Sequence, residues 1–163
     1  MVIKTPNDLF IRLLSEINSA EKQITRALPK MARAADDPQL AEAFKEHLEE
    51  TRGQVERIEQ AVDTIPDIRV KRIKSYAMES LIEEGQELIE AGEKGPVLDA
   101  ALIGAAQKVE HFEIAAYGTV ISLAGQLGYT EAKNILAETL KEEKATDEKL
   151  TKLAKKDINQ KAG

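Results

Sequence analysis

The sequence predicts an all-α fold of five helices, four forming a bundle and one crossing between its two halves. Three observations lead there. Apolar residues recur at steps of three and four along five separate stretches, the period of a helix with one buried face. Helix start and stop residues bound those stretches: Thr5-Pro6, Asp37-Pro38, Pro66, Gly92, Gly95-Pro96 and Gly128. No stretch shows the two-residue apolar alternation of a strand.

The first helix starts at Thr5 as N-cap, with Pro6 at its first position and Asp8 completing a capping-box-like arrangement. It runs to about Ala34, and Phe10, Leu13, Leu14, Ile17, Ile24, Leu28 and Met31 form its stripe. Pro29 predicts a kink or local break near its end. Asp36-Asp37-Pro38 connects it to a second helix, capped by one of the two Asp residues. That helix carries Leu40, Phe44, Leu48, Val55, Ile58, Val62 and Ile65 and ends at Pro66-Asp67.

The third helix is expected from about Val70 to Ala91, with Ile73, Ala77, Leu81, Ile82, Leu88 and Ile89 on its stripe and Gly92 and Gly95-Pro96 as its stop. The fourth, from about Val97 to Leu127, is rich in Ala and apolar on several faces, which predicts deep burial. Gly128 ends it, and Thr130 is the expected N-cap of the fifth helix, which holds Ala132, Ile135, Leu136, Leu140, Leu150 and Leu153. The polar tail, Lys155 to Gly163, is expected to fray. Short connectors join the first helix to the second and the fourth to the fifth, so each pair forms an antiparallel hairpin. The third helix then lies on the long crossover, which is the topology of a ferritin-like four-helix bundle with an additional crossover helix. Residues 1–163 are expected to form a single domain.

Composition narrows the function. Hydrophobic residues make up 42% and charged residues 32%, a globular mixture with material for a core. Aromatics at 4% and a net charge of −6 both argue against a nucleic-acid surface, which needs stacking platforms and cations. There are no cysteines, so thiolate metal sites and Cys nucleophiles are excluded. No apolar run approaches a membrane span and no secretory signal is visible at MVIKTPNDLF, and neither membrane nor nucleic acid is expected as partner. There is no phosphate-cradling Gly loop, no GxSxG turn and no HExxH.

Acidic residues on apolar stripes are the strongest chemical signal. Glu21 falls in line with Ile17 and Ile24. Glu110, Glu113 and Tyr117 share one face of the fourth helix. Glu143 and Asp147 are four apart beside Leu136, Leu140 and Leu150, and His47, Glu50 and Gln54 border the second helix's seam. Carboxylates converging from separate helices repel one another unless cations neutralise them, and a pair of metal ions is the simplest neutraliser. An oxygen-rich donor set with at most one imidazole suits iron or manganese. The competing reading solvates these acids or pairs them, Glu21 with Arg26 or a lysine. It makes His47 a polar flank, His111 a surface residue and Tyr117 core. The bundle is then a non-enzymatic dimerisation or scaffold module. Glu83 and Glu84 on the crossover helix read as solvated, and the charge run Lys141 to Lys149 as a helix with i,i+4 pairs.

These residues also carry a resemblance. Ser19-Ala-Glu-Lys-Gln, His47-Leu-Glu-Glu-Thr with Gln54, Glu110-His-Phe-Glu-Ile-Ala-Ala-Tyr-Gly-Thr and Glu143-Lys-Ala-Thr-Asp-Glu-Lys-Leu resemble the YciE/YciF family of bacterial ferritin-like proteins, from about Leu9 to Ala154. The resemblance implies a five-helix ferritin-like fold, a homodimer, a cytoplasmic stress-associated role, and a dinuclear iron-type site that could react with O2 or peroxide. Glu21, Glu50, Glu110 and Glu143 carry over as its four carboxylates. The two Glu-x-x-His motifs of the wider ferritin-like class are absent: the third residue after Glu50 is Gly53 and after Glu143 is Thr146. Gln54, Glu113, Asp147 or His47 is left to fill the imidazole positions.

Overall fold

A computed structural model describes residues 1–163. Its helices are α1 (Pro6–Ala34), α2 (Pro38–Asp63), α3 (Tyr76–Ala91), α4 (Pro96–Gln126) and α5 (Thr130–Leu153), followed by a π-helical turn (Ala154–Ile158) and a last short turn, α6 (Asn159–Ala162). The fold is the expected all-α bundle. α1 packs on α2 and α4 on α5, the two hairpins meet chiefly through α2 and α5, and α3 lies outside against α1 and α4.

The capping box holds as read: the Thr5 hydroxyl accepts from Asp8 N at 3.1 Å, and the Asp8 carboxylate accepts from Thr5 N at 3.0 Å. α1 continues through Pro29 without the local break that residue suggested. Asp37 is the cap of α2, accepting from Gln39 N and Leu40 N. At the start of α5 the cap position belongs to Tyr129, and Thr130 is the first helical residue.

Two segments depart from expectation. α3 begins at Tyr76 rather than Val70, and residues 64–75 cross in irregular conformation. The cause lies on α1. Ser15 accepts from Lys71 N at 2.9 Å, Ser19 accepts from Ser75 N at 3.2 Å, and the Gln23 amide donates to Ser75 O at 3.1 Å. These long-range bonds occupy backbone groups that a helix would have used locally. Ser75 then caps α3 through Met78 N. The C-terminal tail is the second. It does not fray after Leu153, because Ala154 and Ile158 are buried beside Leu150 in the core. An α-helix drifts about 40° per four-residue step, and the wider π-turn offsets that drift, keeping 150, 154 and 158 on one face.

The apolar core is two clusters, not one. One gathers Ile24, Leu28, Leu40, Phe44, Leu102 and Leu150. The other gathers Phe10, Leu14, Ile58, Tyr117, Val120 and Leu136. Along each of α1, α2, α4 and α5 the chain passes from one cluster to the other through a short buried polar stretch: Glu21, His47 to Gln54, Glu110 to Glu113, and Thr139 to Glu143. A polar layer therefore divides the bundle at mid-height.

Gly53 sits inside α2 with open space where a Cβ would project. Gly53→Ala is expected to raise stability by about 0.5–1 kcal/mol through reduced unfolded-chain entropy and better helix propensity. Chemical denaturation reads this directly.

Candidate metal centre in the polar layer

Each bundle helix supplies the layer from its inward stripe. On α2 that stripe runs Leu40, Phe44, His47, Thr51, Gln54 and Ile58, all buried, at the three- and four-residue steps of one helical face. Thr51 returns its hydroxyl to His47 O, so it makes no demand on the layer. On α4 the stripe passes through Ala106, Glu110, Glu113 and Tyr117, and on α5 through Leu136, Thr139 and Glu143.

His47, Glu110, Glu113 and Glu143 converge. Each offers one ligand atom, and these four atoms lie within 4.8 Å of one another. Glu21 joins them from α1: the buried Tyr117 hydroxyl donates to Glu21 Oε1, and Glu21 Oε2 has no partner. His47 Nε2 lies 2.9 Å from Glu110 Oε1, an ion pair when the imidazole is protonated. Both oxygens of Glu110, Glu113 and Glu143 are buried without hydrogen-bond partners, as are both His47 nitrogens. Buried polar atoms are normally paired, and ligand atoms left free side by side are the geometry a cation would satisfy.

The electrostatics report the same strain. Burial pushes Glu113 and Glu143 well above the usual carboxylate range, and neighbouring carboxylates push them further. Burial raises Glu21 to about 7 against the pull of the Tyr117 hydroxyl. Burial alone would lower His47, but the Glu110 carboxylate beside it holds the imidazole well above its ordinary range. Tyr117 is raised by its burial.

The other expected ligands lie apart from this cluster. Glu50 is on the exposed side of α2, its side chain 44% accessible, with Oε2 3.8 Å from His47 Nδ1 and within 3.2 Å of the Thr146 hydroxyl. His47 pulls its pKa down. Gln54 is buried, donates to Glu142 and keeps Oε1 unpartnered. Asp147 turns toward α4, where it accepts from Gln107 and lies 3.3 Å from the exposed His111. A four-residue step from Glu143 carries it about 40° around α5, enough to leave the layer. Glu21 pairs with Tyr117 rather than with Arg26 or a lysine. His47, read as a flank, is in the cluster, and its spacing from Phe44 and Thr51 was the available signal.

The chain matches the family DUF892, described as a domain of unknown function, over residues 5–163. It is 59% identical to Protein YciF of Escherichia coli (strain K12) over 162 residues, covering 99% of this chain and 98% of YciF. The crystal structure of the E. coli stress protein YciF superposes with a TM-score of 0.95 over 98% of this chain and 100% of YciF's. YcfI of Rhodopseudomonas palustris is 41% identical with a TM-score of 0.86, covering 91% of this chain and 94% of that one. A Xanthomonas campestris protein at 20% identity and a TM-score of 0.72, covering 91% of this chain and 90% of that one, shares the fold. No helix is long and apolar enough to cross a membrane.

Glu21, Glu113, Glu143 and His47 all hold protons more tightly folded than unfolded. The stability they contribute is present below their unfolded values and is lost as pH rises through the folded ones. For Glu21 that window runs from 4.5 to about 7. Metal-free protein is therefore expected to melt at least about 4 °C lower near pH 8 than near pH 5.5, measured by circular dichroism in the presence of a chelator.

Proposed function

The chain belongs to the DUF892 family, and on that footing we propose that its polar layer is a carboxylate-rich dinuclear metal centre, most simply of iron, with manganese the next candidate. The observation that carries the reading is the convergence of His47, Glu110, Glu113 and Glu143, buried together with their ligand atoms facing one another. This donor set fits iron or manganese: oxygen-rich, one imidazole, no thiolate. His47, Glu110 and Glu143 would hold one ion, and Glu113 with the free oxygen of Glu21 the other. Glu50, at the exposed edge beside His47, would have to leave Thr146 and turn inward to complete the set. Gln54 Oε1 is a neutral donor in reserve, and Asp147 would act from outside, bracing α5 against α4.

Iron in such a site supplies one-electron chemistry toward O2 or peroxide. The protein's own groups do the rest. Tyr117 fixes one oxygen of Glu21 and leaves the other to the layer. Flanking apolar clusters keep bulk water away above and below. Protons and cations compete for the same carboxylates, so metal binding releases protons and strengthens as pH rises. YciF is described as a stress protein, which supports a stress-associated role, and the same kinship supports a cytoplasmic homodimer.

The test is elemental analysis of protein expressed in iron-supplemented medium, joined to melting curves with and without Fe(II) and Mn(II). About two metal atoms per chain are expected, with stabilisation of about 2.7 kcal/mol once free metal is 100-fold above its Kd. Glu110→Gln with Glu143→Gln should abolish both signals. Absence of bound metal and melting indifferent to both ions would leave the scaffold reading, which YcfI's designation as a candidate structural protein favours.

A further inference from the structure

A cavity of about 660 Å³ lies between α3 and the bundle, walled by α1, α4 and the crossover segment. That is the size of a small-molecule site, which typically spans roughly 300–1,000 Å³. Ile24, Leu28 and Met31 from α1 face Leu81, Ile82 and Ile89 from α3 across it. Small residues leave the room: Ala27 on α1, and Gly85 on α3 opposite Ala105 on α4. Along α1 the cavity extends from Ser19 to Met31, about 18 Å, the reach of a medium-length alkyl chain. His47 and Glu110 line its inner wall, so it touches the edge of the metal centre.

Its rim is cationic in a chain of net charge −6. Arg26, Lys30 and Arg72 line the opening, all exposed, and none is in an ion pair or a side-chain hydrogen bond. Lys74 is matched by Glu79 at 2.5 Å, which leaves Glu83 as the one unpaired rim acid. Arg26 and Lys30 stand four apart on one helix face, a like-charged arrangement that costs stability unless an anion sits between them. An apolar slot with an unpaired cationic mouth is complementary to one kind of molecule.

We propose that the cavity between α1, α3 and α4 is a binding site for a single-chain anionic amphiphile, a medium-chain carboxylate, whose tail lies along Ile24, Leu28, Leu81 and Ile82 and whose head meets Arg26 and Lys30, one turn apart on α1. The site does not depend on the metal reading. It does place the cavity's ligand beside His47 and Glu110.

The experiment is isothermal titration of the full chain with sodium dodecanoate below its micellar concentration, alongside dodecyltrimethylammonium as the cationic counterpart. Dodecanoate is expected to bind one per chain and the ammonium amphiphile much more weakly. Replacing both head-group cations (Arg26→Gln, Lys30→Gln) should weaken dodecanoate about fivefold. Ala27→Phe, which fills the slot, should abolish binding while the melting temperature and the Fe(II)-induced shift persist. Those two readouts separate this site from the metal centre, since either can fail alone. Equal binding of the two amphiphiles, or dodecanoate binding unchanged in Ala27→Phe, overturns the proposal. So does dissociation of a dimer by Ala27→Phe with no dodecanoate binding to the parent, which would assign the groove to a second copy of the chain.

Discussion

The structure turns on five ionisable groups from four helices buried at one level, with too few hydrogen bonds to satisfy them. Burying one unpaired carboxylate is costly, and several within touching distance add mutual repulsion to desolvation. The layer cannot be stable with all its carboxylates bare. Protons or cations must occupy it, and the raised affinities of Glu113 and Glu143 for protons are the signature of that demand. The two apolar clusters on either side hold the bundle together while this layer works against it.

Cross-ties next to the layer keep the helices from relaxing apart. Tyr117 joins α4 to α1 through Glu21. Arg57 joins α2 to α5, donating to both Glu142 oxygens at 2.8 and 2.7 Å and to the Thr139 hydroxyl at 2.8 Å, and Gln54 adds a bond to Glu142. Arg57 is partly buried and two-pronged, the arrangement in which an ion pair contributes most to geometry. These ties hold the four helices together at the layer without engaging any oxygen of Glu110, Glu113 or Glu143.

How far the sequence foretold this depends on whether a signal was local. Glu21, Glu110, Glu113 and Glu143 interrupt apolar stripes, so their inward direction could be read from spacing. His47 was harder to read, because its spacing from Phe44 was the one cue and polar residues hold the middle of the buried face of α2. Leu48 and Val55 looked like the continuing stripe, yet they are only half-buried, while His47, Thr51 and Gln54 lie inside. Glu50 and Asp147 were placed by adjacency to the seam, and one helical step separates seam from solvent. The delayed start of α3 depends on Ser15, Ser19 and Gln23, fifty or more residues away in the chain. Ile158 was a lone apolar residue in a lysine-rich tail, and only the neighbouring Ala154 and Leu150 give it a partner.

The buried Asp99 on the first turn of α4 receives the backbone N–H groups of Asp36 and Asp37, each at 2.8 Å. It thereby bolts the turn of one hairpin to the root of the other. From that bolt α2 climbs ten residues to His47, about 15 Å, and α4 climbs eleven to Glu110, about 16.5 Å. The two rulers start from a common zero, so an imidazole and a carboxylate from different hairpins arrive at the same height. A single aspartate at the floor of the bundle thus sets the vertical alignment of a centre roughly 15 Å above it.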